Sequence, residues 1–304
     1  MTRTADIRVG ISGWTYAPWR GAFFPSGLKQ RQELAYASAM FRAIEINGTF
    51  YRLQRPSSFA HWAEQTPDDF IFAVKAPRYI THLRRLREPE TPVANFLASG
   101  VLRLGRKLGP ILWQFPPNFR FDAERMRDFA KLLPRDTDAA LRLAHRHDGR
   151  LKDNVWLAVD TPRPLRHAIE IRHESFRDPA FIDILREHRI ALVCADTVKW
   201  PRLMDVTADF VYCRLHGSRK LYRSGYSAAD LDCWTARVRD WASGRRPDGE
   251  FAGRASGGRG KHDVFVFFDN TDKRQAPKNA RGLMRRLGQT VPAWPRKIAE
   301  LSVR

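Results

Sequence analysis

The chain has 304 residues, of which 43% are hydrophobic and 28% are charged, so it is long and apolar enough to bury a sizeable core. Its mean hydropathy is −0.48 and no run of eighteen apolar residues occurs, which excludes a membrane-spanning helix and a membrane partner. The formal net charge is +20, which favours an anionic partner, either a small anionic substrate or nucleic acid.

The N-terminal and cysteine patterns indicate where the protein works. The first ten residues, MTRTADIRVG, lack the apolar core of a secretion signal and run directly into a predicted strand. Cys194, Cys213 and Cys233 are too few and too scattered for a disulfide framework. We therefore expect a reduced, cytoplasmic protein.

Eight short apolar runs predict β-strands, and amphipathic stretches predict helices between them. Helix starts are indicated at Pro56, at Asp122 as an N-cap, at Ser227 in a capping box and at Pro277. Alternating strands and helices favour parallel pairing, and eight repeats fit one (β/α)₈ TIM-barrel domain over residues 1–304. The predicted strands are Ile7–Ser12, Ala43–Asn47, Phe70–Ala76, Pro110–Phe115, Ala168–Arg172, Ile190–Asp196, Phe210–His216 and Val264–Asp269.

Long connections follow the fourth and seventh predicted strands. Residues 134–166 are charge-rich and have room for an extra helix, while residues 244–262 contain six glycines and predict a flexible loop. Residues 288–304 form a basic C-terminal tail.

The glycine patterns give no support for a nucleotide cofactor. Gly10-Ile-Ser-Gly13 leads into Trp14 rather than a helix, and Gly260-Lys261 is followed by His262 where a P-loop needs Ser or Thr. The possible ligands at the strand ends, His216, Asp196, Glu45 and Asp269, show no HxH, HExxH or DxD spacing, and nearby Lys and Arg would repel a cation. We expect no cofactor and no metal.

Strand alternation places polar residues inside the barrel, near the carboxyl ends of the strands. Burying charge costs free energy unless partners compensate, so a set repeated on several strands indicates a site at the end of the barrel where TIM-barrel catalysis occurs. A buried ion-pair network that only fixes the barrel geometry is the alternative. The predicted catalytic residues are Glu45, Glu170 and Lys75, and the predicted substrate-binding residues are Asn47, Tyr51, Gln114, Arg172, Arg214, His216, Asp269, Asn270 and Trp14.

Residue types within this set suggest separate roles. Lys75, Arg172 and Arg214 are expected to hold a phosphate or carboxylate, because Arg binds both in a bidentate manner. Glu45 and Glu170 are candidates for acid and base. Leu192, Cys194 and Asp196 share one face of the sixth strand.

Several motifs together resemble the YecE-like family, catalogued as domain of unknown function 72. They include Val9–Trp14, Glu45–Tyr51, Phe70–Ala76, Ile80–His82, Gly109–Pro117, Glu170–His173 and Arg214–Gly217, and they extend to Asn279. The resemblance implies a TIM-barrel-like fold but no activity. It places the family's polar positions on Glu45, Asn47, Lys75, Gln114, Glu170, Arg172, Arg214 and His216. The chain departs from the family pattern at Glu174-Ser-Phe176 and at Asp269-Asn270.

Three functions follow as hypotheses. The first is an enzyme that binds a small or medium anionic substrate and uses Glu acid–base chemistry. The second is a nucleic-acid-binding or nucleic-acid-processing protein, which the charge of +20 suggests. The third is a sugar-directed hydrolase that uses the paired Glu45 and Glu170.

Overall fold

Eight parallel strands close into a barrel in sequence order, as the alternating pattern predicts. The computed structural model describes residues 4–217, 224–254, 260–269 and 274–292. The predicted loop 244–262 and the basic tail 288–304 therefore lie partly outside the described residues. The strands are β1 (Ile7–Ser12), β2 (Ala43–Ile46), β3 (Ile71–Lys75), β4 (Leu108–Gln114), β5 (His167–Glu170), β6 (Ala191–Asp196), β7 (Phe210–Leu215) and β8 (Asp263–Phe268).

Helices cover the outside of the barrel, and the two predicted capping motifs are present. The Asp122 side chain accepts a hydrogen bond from the Arg125 amide, and Ser227 forms a capping box with Asp230. The α-helices are α1 (Glu33–Met40), α2 (Gly48–Tyr51), α3 (Pro56–Glu64), α4 (Glu90–Ala98), α5 (Ala123–Leu132), α6 (Thr137–Ala144), α7 (Pro179–Glu187), α8 (Ala228–Ser243) and α9 (Gln275–Arg286).

Two helices refine the sequence prediction. The long segment after β4 does contain an additional helix, α6. The last helix begins at Gln275, two residues before the predicted start at Pro277. A single turn of π-helix at Tyr79–Leu83 and a 3₁₀ segment at Val101–Lys107 complete the connections on either side of α4. Among the residues described, no helix is both long and apolar enough to cross a membrane.

Two apolar layers position the site. Outward strand residues such as Ile44, Phe72 and Ile169 join the helices in the main core, whereas alanines and large aromatic residues together fill the barrel interior. The interior is tight at Gly10, where an added Cβ would lie 2.0 Å from the Ala43 carbonyl oxygen. The interior cluster consists of Ala43, Ala73, Leu112, Ala168, Ala191, Val193, Ala195, Phe210, Tyr212, Phe265 and Phe267. On β2, β3, β4, β5 and β7, a member of this interior cluster lies two positions before the polar residue at the carboxyl end of the strand.

Candidate functional site at the carboxyl ends of the strands

Charged side chains from three strands meet inside the barrel. Glu45 on β2, Glu170 on β5 and Arg214 on β7 each have no exposed surface. The guanidinium of Arg214 lies between the carboxylates and donates hydrogen bonds to both: Nε and Nη2 reach Glu45 at 3.0 and 2.8 Å, and Nη1 reaches Glu170. The structure therefore brings these three predicted residues into direct contact.

Arg214 is occupied by protein carboxylates. Its Nη2 also donates to Asp269 at 2.9 Å, so three carboxylates surround one buried cation. Burial lowers the pKa of Arg214, but Glu170, Glu45 and Asp269 outweigh that effect and raise it well above its ordinary value. The expectation that Arg214 grips a substrate anion needs correction, because its donors already hold the carboxylates in place.

Glu170 is the second node of this network. It accepts hydrogen bonds from Gln114 Nε2 at 2.9 Å and from Arg172 Nε at 2.8 Å, in addition to Arg214. Burial raises the pKa of Glu170, but the charges of Arg214 and Arg172 prevail and hold it well below its usual range. Glu170 is therefore a carboxylate at neutral pH and has no proton to donate.

Glu45 accepts another hydrogen bond, from a residue that was not among the predicted site residues. Tyr212, on the inward face of β7, donates its hydroxyl to Glu45 Oε2 at 2.6 Å. Burial and the charge of Glu45 raise the pKa of Tyr212 well above its ordinary value. Strand alternation already placed Tyr212 on the same face as Arg214, and this was the signal that could have identified it.

Lys75 ends β3 and differs from the other charged groups. The residue is 8% exposed, and within the described part of the chain no carboxylate oxygen lies within 4.0 Å of its Nζ. Its ammonium lies 4.0 Å from the centre of the Phe50 ring. Burial lowers the pKa of Lys75, and the nearby Arg214 lowers it further, to about 7, although Glu170, Glu45 and Asp269 act in the opposite direction.

A neutral histidine lies next to Lys75. His82 contacts the Phe50 ring edge-on at 5.0 Å, and its Nδ1 is 2.9 Å from the Thr81 hydroxyl. Burial lowers the pKa of His82 to about 4, with Lys75 and Arg172 contributing. His82 belongs to the Ile80–His82 motif. It follows the strand by several residues, so strand alternation could not assign it to the site.

His216 and Asp269 complete the predicted set on the last two strands. His216 is fully buried after β7, with Nδ1 3.3 Å from Asp269 and Nε2 3.9 Å from Glu170. Trp200 contacts the His216 ring edge-on and lies 3.9 Å from the Arg172 guanidinium. Asn270 lies outside the described residues.

The ends of β1 and β2 supply hydrogen-bonding atoms without partners. Ser12 Oγ and Asn47 Oδ1 are buried and have no hydrogen-bond partner among the described residues. Tyr16 donates its hydroxyl to the Ser12 carbonyl at 2.8 Å, and burial together with the Asp269 charge raises its pKa. Buried polar atoms are normally paired, so these two mark places where a bound molecule or water completes the site.

One expectation from the sequence, that Trp14 binds substrate, places its side chain wrongly, whereas Asp196 does share one face of β6 with Leu192 and Cys194. Trp14 lies in the layer between strands and helices, where its ring packs on Trp62 at 5.5 Å and on Phe72. Asp196 also faces outward, accepting hydrogen bonds from Trp234 on α8 and from Arg202. Neither side chain joins the cluster inside the barrel.

A cavity of about 420 Å³ adjoins the cluster at the loops after β2 and β3. Phe50 contributes to its wall and also contacts Lys75. Tyr51, which is 71% exposed, lines the same cavity. Arg52, Arg78 and Arg150 surround it, and the lining residues that the structure describes include no aspartate or glutamate. The cavity therefore has a positive wall beside the buried amine. Within the described part of the chain, no group of three His, Cys, Asp or Glu side chains is arranged to hold a metal ion.

Fold and site together define a TIM barrel with a buried ionic cluster at the end of the barrel where TIM-barrel enzymes carry out their chemistry. The model of the family described as protein of unknown function DUF72 matches residues 8–300, and the chain belongs to this family. The resemblance drawn from the sequence motifs is confirmed.

Curated relatives match part of the chain. The UPF0759 protein YecE of Escherichia coli is 27% identical over 171 residues, which cover 56% of this chain and 50% of that protein. The UPF0759 protein YunF of Bacillus subtilis is 27% identical over 118 residues, covering 37% of this chain and 41% of that protein. The matched stretch thus spans half the length of these relatives or less.

Solved structures match nearly the whole chain. A DUF72 family protein of Thermotoga maritima is 26% identical, with a TM-score of 0.69, and the match covers 93% of this chain and 100% of that one. A DUF72 family protein of Enterococcus faecalis is 18% identical with a TM-score of 0.66, covering 96% and 98%. The second similarity shows the fold alone.

Proposed function

We propose that the protein is an enzyme that binds a small anionic substrate at the carboxyl end of the barrel and uses Lys75 as the proton-accepting base. The observation that carries the proposal is the isolated amine itself. Lys75 is buried, lacks a carboxylate within 4.0 Å in the described structure, and has its pKa lowered to about 7. A base is most effective when its pKa lies near the working pH.

The carboxylate cluster supports this role indirectly. Glu45, Glu170 and Asp269 form ion pairs with Arg214, and their charges favour the protonated form of Lys75. When Lys75 takes a proton from the substrate, the new ammonium is stabilised by these fixed charges. Because they are positioned before the reaction, little reorganisation is required.

A lysine elsewhere in the fold shows what a purely structural buried amine looks like. Lys107 is also buried, and burial lowers its pKa. Its ammonium, however, donates hydrogen bonds to the Ala63 and Thr66 carbonyl oxygens and to the Thr66 hydroxyl. No comparable acceptor holds Lys75 in the described structure, which favours a chemical role for it.

The adjoining cavity supports an anionic substrate. Arg52 and Arg78 have no carboxylate within 4.0 Å among the described residues, whereas Arg150 lies 3.3 Å from Asp148. Two uncompensated guanidiniums and aromatic walls suit a phosphate or carboxylate on a small organic body. The orphaned Ser12 Oγ and Asn47 Oδ1 then supply contacts to hydroxyl or amine groups of the substrate.

The hydrolase hypothesis receives less support from the same geometry. Glycoside hydrolysis needs one protonated carboxylic acid, and its pKa must be raised. Glu170 has its pKa lowered by Arg214 and Arg172. We therefore favour proton transfer by an amine over acid–base chemistry by two glutamates.

The test is a turnover screen by proton NMR. Small phosphorylated and carboxylated compounds are incubated with the protein at pH 8, each beside a neutral analogue. We expect conversion of at least one anionic compound, with kcat rising with pH through about 7, because a base acts when it is unprotonated.

Lys75→Met should lower kcat at least 100-fold, since general-base catalysis typically contributes that much. Lys131→Met, which changes an exposed lysine on α5, is the matched control and should keep full activity. Conversion unaffected by Lys75→Met, equal conversion of the neutral analogues, or no conversion of any compound counts against the proposal.

A further inference from the structure

A second and larger cavity lies at the opposite end of the barrel. It has a volume of about 1040 Å³ and opens at the amino ends of β5 to β8, where His167, Ile190, Asp209 and His262 contribute to its wall. The TIM-barrel site and the proposed role of Lys75 do not involve this end. The cavity is large enough for a ligand of the size of a small lipid or cofactor.

Its charge is strongly positive. Seven arginines line the cavity, against Asp205 and Asp209 as the acidic side chains among the lining residues. Some of the arginines are neutralised, such as Arg166, which binds Asp209 and Asp263. Arg135, Arg189 and Arg254 have no carboxylate within 4.0 Å in the part of the chain that the structure describes. These uncompensated cations favour an anion.

Two buried donors in the cavity wall lack acceptors. Arg186 Nε and His188 Nε2 are buried without a hydrogen-bond partner among the described residues. The His188 tautomer follows from its neighbour: Arg135 Nη2 lies 3.2 Å from Nδ1 and can only donate, so Nδ1 accepts and the proton sits on Nε2. Glu187 Oε1 is 3.7 Å from that nitrogen, beyond hydrogen-bond range.

The ionisation of His188 agrees with this assignment. The residue is 8% exposed, and burial lowers its pKa, with Arg135 and Lys131 contributing against the opposing charge of Glu187. His188 is thus neutral at pH 7, with one N–H that has no acceptor in the described structure. A buried donor left unpaired costs free energy, and an oxygen of a bound anion would remove that cost.

The floor between these polar groups is apolar. Leu133, Leu165 and Ile190 are buried side chains of the wall, and Val206 and Phe251 are half-buried. Arg246 stacks on Phe251 with its guanidinium carbon 3.6 Å from the ring centre. A fully hydrated ion such as inorganic phosphate would leave this surface uncovered, whereas a hydrocarbon group attached to the anion would cover it.

From these contacts we infer that the cavity at the amino ends of β5 to β8 is a binding site for an amphipathic oxyanion. Its phosphate or carboxylate accepts hydrogen bonds from Arg186 Nε and His188 Nε2, and its hydrocarbon part lies on the apolar floor. The inference is independent of the proposed function, because the two sites lie at opposite ends of the barrel.

The test uses octyl phosphate as the probe, with inorganic phosphate and 1-octanol as its two separated halves, in isothermal titration calorimetry at physiological salt. Octyl phosphate should bind at least 100-fold more tightly than inorganic phosphate, because even four buried methylenes contribute about that factor. It should also bind at least 100-fold more tightly than 1-octanol, which lacks the charged acceptor for both donors. Arg186→Gln and His188→Phe should each weaken binding about tenfold or more, since each removes a donor to a charged group.

Controls separate the effect of the proposed donors from that of net charge. His188→Gln keeps an N–H donor and should bind much better than His188→Phe. Arg239→Gln, an exposed arginine outside the cavity, should bind octyl phosphate like the native protein and controls for the loss of one positive charge. Thermal midpoints of the variants verify folding.

Several results would overturn the inference. They are equal affinity for octyl phosphate and inorganic phosphate, no binding of octyl phosphate, and a loss in Arg239→Gln as large as that in Arg186→Gln. A short oligonucleotide that binds where octyl phosphate does not, and that is lost in Arg186→Gln, would instead identify this end of the barrel as a nucleic-acid surface.

Discussion

Replacing Lys75 by methionine should remove a specific pH dependence from the stability of the protein. In the native state Lys75 loses its proton near pH 7, whereas in the unfolded chain it keeps the proton up to its ordinary pKa of 10.5. Between these values the unfolded state binds more protons, so stability rises with pH. Below pH 7 both states are protonated, and the cost of burying the charge is constant.

The size of the effect follows from the two pKa values. Integrating the linkage relation gives a gain of about 2 kcal/mol for the native protein between pH 7 and pH 9 from this group alone. Methionine has a similar length and no charge. The free energy of unfolding of Lys75→Met relative to the native protein should therefore fall by about that amount over the same interval.

Urea unfolding at half-unit steps from pH 6 to pH 10, followed by circular dichroism, measures this difference. Lys131→Met is the control for removing one positive charge from a chain of net charge +20, and its difference curve should be flat over this interval. A flat curve for Lys75→Met as well would refute the reasoning, because it would mean that Lys75 holds its proton equally in both states.

Three further predictions concern the frame around the site. Arg214→Met should destabilise the protein by about 3–5 kcal/mol in urea unfolding, because it leaves buried carboxylates without their cation. The control Arg239→Gln should change stability by less than about 0.5 kcal/mol. Equal effects of the two variants would contradict the assignment of Arg214 as the cation that neutralises the buried carboxylates. His167 has its pKa lowered by burial to about 4, so lowering the pH from 6.5 to 4 should cost the native protein about 3 kcal/mol through this group, and His167→Gln should lose less over that range. Gly10→Ala should prevent folding or destabilise severely because its Cβ would meet the Ala43 carbonyl, whereas Gly149→Ala has open space and should be neutral in thermal unfolding; similar midpoints for the two would contradict the close approach.

The barrel was predictable because its strands are short apolar runs separated by clear helix signals. Residues 7–12, 210–215 and 263–268 differ from the predicted strands by at most one residue at either end. Alternation also selected the inward positions correctly wherever a polar residue broke the apolar pattern, as at Glu45, Lys75 and Arg214. In those strands the polar residue itself shows which alternate side chains face the interior of the barrel.

Which side chains face the barrel interior was not predictable for β6, where every residue before Asp196 is apolar. β6 reads Ala-Leu-Val-Cys-Ala before Asp196, so the sequence offers no polar position to fix its orientation. Small residues face the crowded interior, which turns Asp196 outward to Trp234. Trp14 was misplaced for a different reason: it follows Gly13, whose φ of +78° ends the extended backbone of β1, so strand alternation does not reach it.

The role of Arg214 depended on geometry that sequence alone does not contain. The pattern identified a cation among carboxylates but not that one guanidinium would satisfy Glu45, Glu170 and Asp269 together. The cavity at the amino ends of β5 to β8 was likewise hidden, because its lining comes from loops far apart in the chain. Such surfaces depend on how loops pack, and strand periodicity does not describe them.

The central claim is that Lys75 carries a free amine at neutral pH, and competitive labelling tests it directly. The protein is treated with a trace of isotopic acetic anhydride between pH 5 and pH 10, and Lys75 and Lys131 are quantified by mass spectrometry. With a pKa of about 7, about half of Lys75 is unprotonated at pH 7, against roughly one in a few thousand for an ordinary lysine. The account predicts that Lys75 labelling reaches half its maximum near pH 7. A Lys75 profile that keeps rising beyond pH 9, as that of an ordinary lysine does, would contradict it.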